Sequence, residues 1–243
     1  MKVLLIDDHP LILSALQTVI RGLGDDVEVV GVPSANCARV ELSRQKDFDL
    51  VLLDLQLDDA LGFDVLLEFR AAYPALPVVV VSASDRSDDV IRSIELGAMG
   101  FVPKRTSNDT LAHALRLVMS GGIYVPPMGL GVDGGNAYLG SSNATPSIMQ
   151  IMGAGGIPID FQAVLDIDEL GLSSRQAEVL ALLIQGKPNK AIARELGIGI
   201  ETIKAHVANC LRILGVNSRT QAVLAVSELT QRALANQRRS GAI

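Results

Sequence analysis

The chain has 243 residues, 49% hydrophobic and 20% charged, with a net charge of −6 at pH 7. No apolar run approaches the ~18 residues a membrane span needs, and the first residues lack a signal-peptide pattern, so a cytoplasmic protein without a membrane partner is expected. Cys37 and Cys210 show no metal-ligand spacing and read as small hydrophobes in a reducing compartment.

Apolar runs at 2–6, 50–53, 78–81 and 100–103 read as buried strands, with a fifth near 27–32. Helix-length segments lie between them at 10–22, 36–45, 62–73, 88–96 and 108–120. Pro10 suits a first helical turn, and Gly22, Gly97 and Gly121 read as C-terminal stops. Five strands alternating with five helices over 1–125 predict an α/β, doubly wound, flavodoxin-like parallel domain. Residues 126–170 are rich in Gly, Ser, Asn and Met without a sustained period, and read as a flexible linker. A turn at 147–152 and a short helix at 160–170 are conceivable within it. Residues 171–243 read as a separate all-α domain. A capping box at Ser173–Gln176 opens its first helix, Asn189 is placed as the cap of the second, and the third spans about 200–214. Ser218 or Thr220 starts a fourth. Two short helices around the Gly197–Gly199 turn suggest a helix-turn-helix.

Charge divides along the same lines. Residues 1–125 carry a net −7, 126–170 a net −5 with no basic residue, and 171–243 a net +6. A basic third on an acidic chain points to a polyanion partner for that third alone.

The strand ends carry chemistry. The first run ends in Asp7 and Asp8, the third in Asp54, the fourth in Ser82 and the fifth in Lys104. Parallel strands open their carboxyl ends onto one edge, so these groups should converge there. Three acids can hold a divalent cation, while a lysine and a hydroxyl can hold anionic oxygens. That set suits phosphoryl transfer, which depends on positioning and charge neutralisation. Asp58, Asp59 and Asp64 flank the site as loop or cap residues. His9 reads as a loop hydrogen bonder, and His113 as a packed residue on an apolar helix face.

With Phe101 added, these positions resemble the receiver domain of two-component response regulators. The resemblance implies that Asp54 is a phosphoacceptor, loaded by a sensor histidine kinase. It implies Mg²⁺ held by Asp8 and Asp54 directly, Asp7 through water and the carbonyl of Gln56. Lys104, Ser82 and the N–H of Ala83 would hold phosphoryl oxygens, and Phe101 would turn inward as Ser82 is drawn to the new charge. Receivers often have a cis proline directly after this lysine; here Arg105 follows, so no cis bond is expected.

Leu172–Leu180, Asn189–Lys190, Thr202, Lys204, His206–Val207 and Ser218–Thr220 resemble a LuxR-type helix-turn-helix, the output of the NarL/FixJ class. Ile203, Val207 and Leu211 form a buried stripe at helical spacing. The resemblance places the third helix in the major groove of double-stranded DNA, with Lys190, Thr202, Lys204, His206 and Arg219 as contacts. Lys190 and Lys204 could meet phosphate or base edges; Arg219 could touch phosphate or pair with an acid. Gly199, Ile200 and Glu201 depart from the family pattern. Glu201 opposes phosphate, yet a carboxylate can accept from cytosine. The resulting expectation is a non-enzymatic transcription regulator that forms a homodimer when phosphorylated. The alternatives are phosphorylation-independent DNA binding or a protein-binding output. A phosphohydrolase of the haloacid-dehalogenase type, using an aspartyl phosphate, would need Asp-x-Asp on the first strand, where this chain has adjacent Asp7 and Asp8. A quorum-sensing regulator would not need the acidic set.

Overall fold

The computed structural model describes residues 1–127 and 171–240, with side-chain surroundings through residue 230. The segments 147–152 and 160–170, and the linker beyond residue 127, lie outside the described residues.

The first domain alternates strictly. Its elements are β1 (Lys2–Ile6), α1 (Pro10–Arg21), β2 (Glu28–Val32), α2 (Ala35–Arg44), β3 (Leu50–Leu53), α3 (Gly62–Ala72), β4 (Val78–Ser82), α4 (Ser87–Glu95), β5 (Gly100–Pro103) and α5 (Asn108–Met119). The strands form one parallel sheet in the order β2-β1-β3-β4-β5. β1, β3, β4 and β5 are buried on both faces because helices cover both sides, while the edge strand β2 is only partly buried. Leu4, Ile6, Val51 and Leu53 join one core with Phe69 and Phe101, while Val3, Leu5, Leu50 and Leu52 join the other with Leu111 and Leu115. A fully buried side chain of this size contributes about 1.5–3 kcal/mol. The alternation therefore holds the register firmly, since a one-residue slip would exchange the two cores.

The register decides where the polar groups emerge. Ile6 pairs with Leu53 and Ser82 with Pro103. Asp54 N donates to Ile6 O at 3.0 Å, and Lys104 N donates to Ser82 O at 2.7 Å. Asp7, Asp54, Ser82 and Lys104 thus leave the sheet together.

The second domain comprises α6 (Ser174–Ile184), α7 (Asn189–Leu196), α8 (Ile200–Ile213) and α9 (Arg219–Ser240). The Ser173–Gln176 capping box is present. Gly197 closes α7 in the left-handed region at φ 65°, which turns the chain into α8. The stripe Ile203, Val207 and Leu211 is buried against α6 and α9 with Leu180, Leu183 and Ala222.

Two local expectations change, at Asn189 and His113. Asn189 is not a cap: Pro188 holds that position, and the Asn189 amide instead donates to Ala75 O of the first domain at 3.1 Å. Gly22 ends α1 as expected, with φ −67° in the ordinary right-handed region. His113 is exposed, because Leu111, Ala114, Leu115 and Val118 form the buried face of α5 and leave it outside. The Lys104–Arg105 bond is trans, as are all peptide bonds of the described residues.

The second domain docks on the amino edge of the sheet, opposite the strand ends that carry the acids. The loops before β3, β4 and β5 and the end of α5 receive α7, α8 and the start of α9. Arg70 Nε donates to Asn217 O at 3.2 Å, and Gln221 Nε2 to Glu95 O at 3.0 Å. Gly121, at φ 95°, brings the chain so near α6 that an added Cβ would lie 1.9 Å from Gly186 O. Among the described residues, no helix is long and apolar enough to cross a membrane.

Candidate functional site

At the carboxyl edge, β1, β3 and β5 bring Asp7, Asp54 and Lys104 into contact. Lys104 Nζ lies 2.6 Å from Asp54 Oδ2 and 2.8 Å from Asp7 Oδ2. Both carboxylates are 1% exposed, which removes most of the solvent screening. Asp7 Oδ1 accepts from His9 N at 2.9 Å, and Asp54 Oδ1 accepts from Gln56 N at 3.2 Å. Asp8 Oδ2 accepts from Asp58 N at 3.1 Å, while its Oδ1 lies 2.6 Å from His9 Nδ1. His9 is therefore a loop hydrogen bonder held by the two acids. Asp59 caps α2 through Ala35 N and Asn36 N.

The pocket has more carboxylates than cations. Burial holds the Asp54 pKa above its ordinary value, against the pull of Lys104. Burial opposes the Lys104 charge, yet hydrogen bonds and charge from Asp54 and Asp7 raise its pKa overall. Both directions mean that the pocket holds protons tightly. An oxygen-rich pocket with excess negative charge would hold a hard divalent cation for the same reason. Asp7, Asp8, His9 and Asp54 each offer a ligand atom, all within 4.8 Å of one another. Asp7 Oδ2 is buried and, although paired with Lys104, receives no hydrogen bond of good geometry. Three carboxylates converging in this way are hard oxygen donors, so the residues present fit Mg²⁺.

Ser82 is fully buried and its Oγ accepts from Ser84 N at 3.1 Å, while Ala83 is exposed at the strand end. Phe101 differs from expectation. It is already fully buried among Phe69, Val78, Val80 and Val90, so no inward turn remains for it to make from this arrangement. The side of β5 it occupies is packed by α3 and α4, which favours the inward ring.

The second domain's exposed residues were expected to meet a polyanion. Thr202 is exposed and His206 half-buried on α8. Lys190 and Lys204 are engaged by the first domain: Lys190 Nζ lies 2.9 Å from Asp49 Oδ2, and Lys204 Nζ donates to Lys46 O at 2.9 Å. Lys204 also lies 2.8 Å from Glu201 on its own helix. Arg219 points inward, with Nη2 donating to Leu183 O at 2.5 Å and Lys187 O at 2.7 Å. A phosphate contact would need it to leave those carbonyls. Arg70, Asp49 and Gln221 are contacts that the sequence reading missed. Only Arg70 left a trace there, as a charged residue beside Phe69 on the apolar face of α3.

Residues 3–116 match the family described as the response regulator receiver domain. Residues 170–226 match bacterial regulatory proteins of the luxR family. The glycerol metabolism activator of Pseudomonas putida is 32% identical over 228 residues, covering 94% of this chain and 96% of that protein. This chain belongs to the LuxR-type response regulators. The nitrate/nitrite response regulator protein NarL of Escherichia coli strain K12 is 30% identical over 226 residues, 93% of this chain and 94% of the relative. The crystal structure of response regulator ChrA of a heme-sensing two-component system aligns over 96% of this chain and 98% of that one, at 26% identity and a TM-score of 0.44. The doubly wound domain of this response regulator is thus its receiver, and the helical domain its LuxR-type DNA-binding module. The family acts in transcription regulation.

Proposed function

We propose that this response regulator is a phosphorylation-controlled transcription factor of the cytoplasm, with Asp54 as the phosphoacceptor for a sensor histidine kinase. The observation that carries this reading is the contact of buried Asp54 with Lys104 beside the convergent carboxylates of Asp7 and Asp8. A carboxylate there can attack phosphorus, with Lys104 Nζ placed to pair with a phosphoryl oxygen. Ser82 Oγ and Ala83 N–H would take others. Asp7, Asp8, Asp54 and the carbonyl of Gln56 would hold Mg²⁺, which supplies charge neutralisation for the transferred group.

Phosphorylation adds about 1.5 to 2 negative charges at the carboxyl edge. Ser82 gives up its bond to Ser84 N and turns toward that charge, and the β4–α4 loop follows. The far end of α4 bears Glu95, whose carbonyl holds Gln221. Movement of α4 therefore reaches the docked DNA-binding domain. In the docked arrangement Lys190 and Lys204 are held by the receiver and α8 is not free to enter a groove. The phosphoryl group shifts the equilibrium toward a released state that pairs as a homodimer and reads two half-sites. Lys190, Thr202, Lys204, His206 and Arg219 are the proposed DNA contacts, phosphate contacts positioning the helix and base contacts specifying sequence.

Selection from a random duplex library tests this, run with and without Mg²⁺ and beryllofluoride, a phosphoryl mimic. The expected result is a repeated half-site enriched only with the mimic. Equal enrichment in both arms would contradict the phospho-switch, and no enrichment in either would contradict the DNA-binding role.

A further inference from the structure

The docked interface is not tightly interdigitated. It leaves a partly open cavity of about 100 Å³, with walls from both domains. Four cationic side chains line it, Arg70, Lys190, Lys204 and Arg219, against the single carboxylate of Asp49. That carboxylate is already engaged by Lys190 Nζ at 2.9 Å and by the Lys2 amide at 2.9 Å. Lys204 is engaged by Glu201.

Among the described residues, neither arginine has a carboxylate partner. Arg70, 2% exposed, donates only to the carbonyls of Pro74, Leu76 and Asn217. Arg219 donates only through Nη2, to two carbonyls, and its Nε and Nη1 find no partner among the described residues. Burial pushes both pKa values down to about 10, so both stay charged at neutral pH. Arg70 is the buried charge, and a charge held away from water is normally matched by a counter-charge; Arg219 is half-buried, with Nε and Nη1 left open to the cavity and solvent. The two guanidiniums flank one short stretch, since Arg70 binds Asn217 O and Arg219 lies two residues on.

We propose that this cavity is a binding site for a small organic oxyanion, a short-chain carboxylate or phosphomonoester. Its anionic head would lie between the guanidiniums of Arg70 and Arg219. Its short apolar body would lie against Phe48, Pro74, Met99 and Leu183, which share the lining. The space suits a head group with a few carbons, since a water takes about 30 Å³ of liquid volume. Both domains supply the walls, so the ligand binds the docked arrangement alone and holds it closed by mass action. That regulatory consequence rests on the proposed function; the binding site itself does not.

Calorimetry on the full chain tests the site, at constant ionic strength in chloride without Mg²⁺, with butyl phosphate, butyrate and inorganic phosphate as probes. One saturable site per chain is expected for butyl phosphate or butyrate, and the tighter of the two identifies the head group. Arg219→Gln should weaken it roughly tenfold, the loss of one charge-assisted bond. Lys190→Gln, which removes a lining cation without setting a second carboxylate against Asp49, should weaken it in the same direction, and Asp54→Asn should leave it intact. Amide shifts on binding should appear at Gly97 and Gly121, which line the cavity. Lack of saturation with all three probes would overturn the proposal. So would unaltered affinity in both charge variants, or inorganic phosphate binding as tightly as butyl phosphate. Loss of binding in Asp54→Asn would also overturn it, by placing the anion in the receiver's acid pocket. Intact binding that leaves DNA affinity unchanged would instead count against the closed-state reading.

Discussion

The two edges of the receiver sheet are built on opposite principles. At the carboxyl edge, buried carboxylates and one lysine press together with little solvent between them. At the amino edge, the DNA-binding domain is held by single bonds to carbonyls, one partly exposed ion pair and backbone contact at a glycine, around a cavity. A typical hydrogen bond of this kind contributes only about 0.5–1.5 kcal/mol net. The carboxyl edge is fixed and electrostatically tense, whereas the amino edge is loose enough to let go. About five residues of strand, on the order of 17 Å, separate them, so a signal must cross through packed elements such as α4.

The largest expected effect lies at the tense edge. Lys104→Ala leaves two buried carboxylates without their cation and should cost about 3 kcal/mol in urea unfolding at pH 8 without Mg²⁺. The cost should shrink as pH falls, because the carboxylates then take up protons. A loss near zero at pH 8 would break the contrast between the edges.

At the loose edge, Gly121→Ala adds a Cβ against Gly186 O at a positive φ. It should cost about 1–2 kcal/mol and enlarge the scattering envelope as the domains separate. DNA binding should then no longer need the phosphoryl mimic. A variant that stays compact would show the docking to be stronger than described.

Asp54→Asn is expected to stabilise the receiver by about 1 kcal/mol at pH 8, by removing a buried charge while Lys104 keeps Asp7. The sign follows from the raised Asp54 pKa. The folded wild type binds that proton more tightly than the unfolded chain. Its contribution is full below the unfolded pKa and is lost as pH rises through the folded one. The variant's advantage should thus grow with pH and fade in acid. Mg²⁺ should raise the wild-type melting temperature and leave the variant's nearly unchanged. The smallest effect belongs to Asp49→Asn, which frees Lys190 from a surface ion pair worth about 0.5 kcal/mol. A slight gain in DNA affinity without the mimic is the expected reading.

The same contrast governs what could be read from sequence. The strand ends were legible because apolar runs stop abruptly at Asp7, Asp54, Ser82 and Lys104, and parallel topology gathers such ends. The stripe Ile203, Val207 and Leu211 was legible from its spacing. The amino edge was not. Arg70 to Asn217 and Gln221 to Glu95 join residues more than a hundred positions apart through backbone carbonyls, which every residue has and no pattern marks. Asn189 looked like a cap because its type favours one, but a long-range acceptor at Ala75 O claimed its amide. Phe101 was assigned to the right strand, while its rotamer depends on packing by α3 and α4 that the sequence does not display.

The most direct test measures the distance between the two domains. One spin label goes on the exposed Cys37 of α2 and the other on Thr202→Cys at the exposed start of α8, with pulsed dipolar spectroscopy run before and after Mg²⁺ and beryllofluoride. The account predicts a narrow distribution for the docked state that moves to longer and broader distances with the mimic. An unchanged narrow distribution with the mimic bound at Asp54 would contradict it.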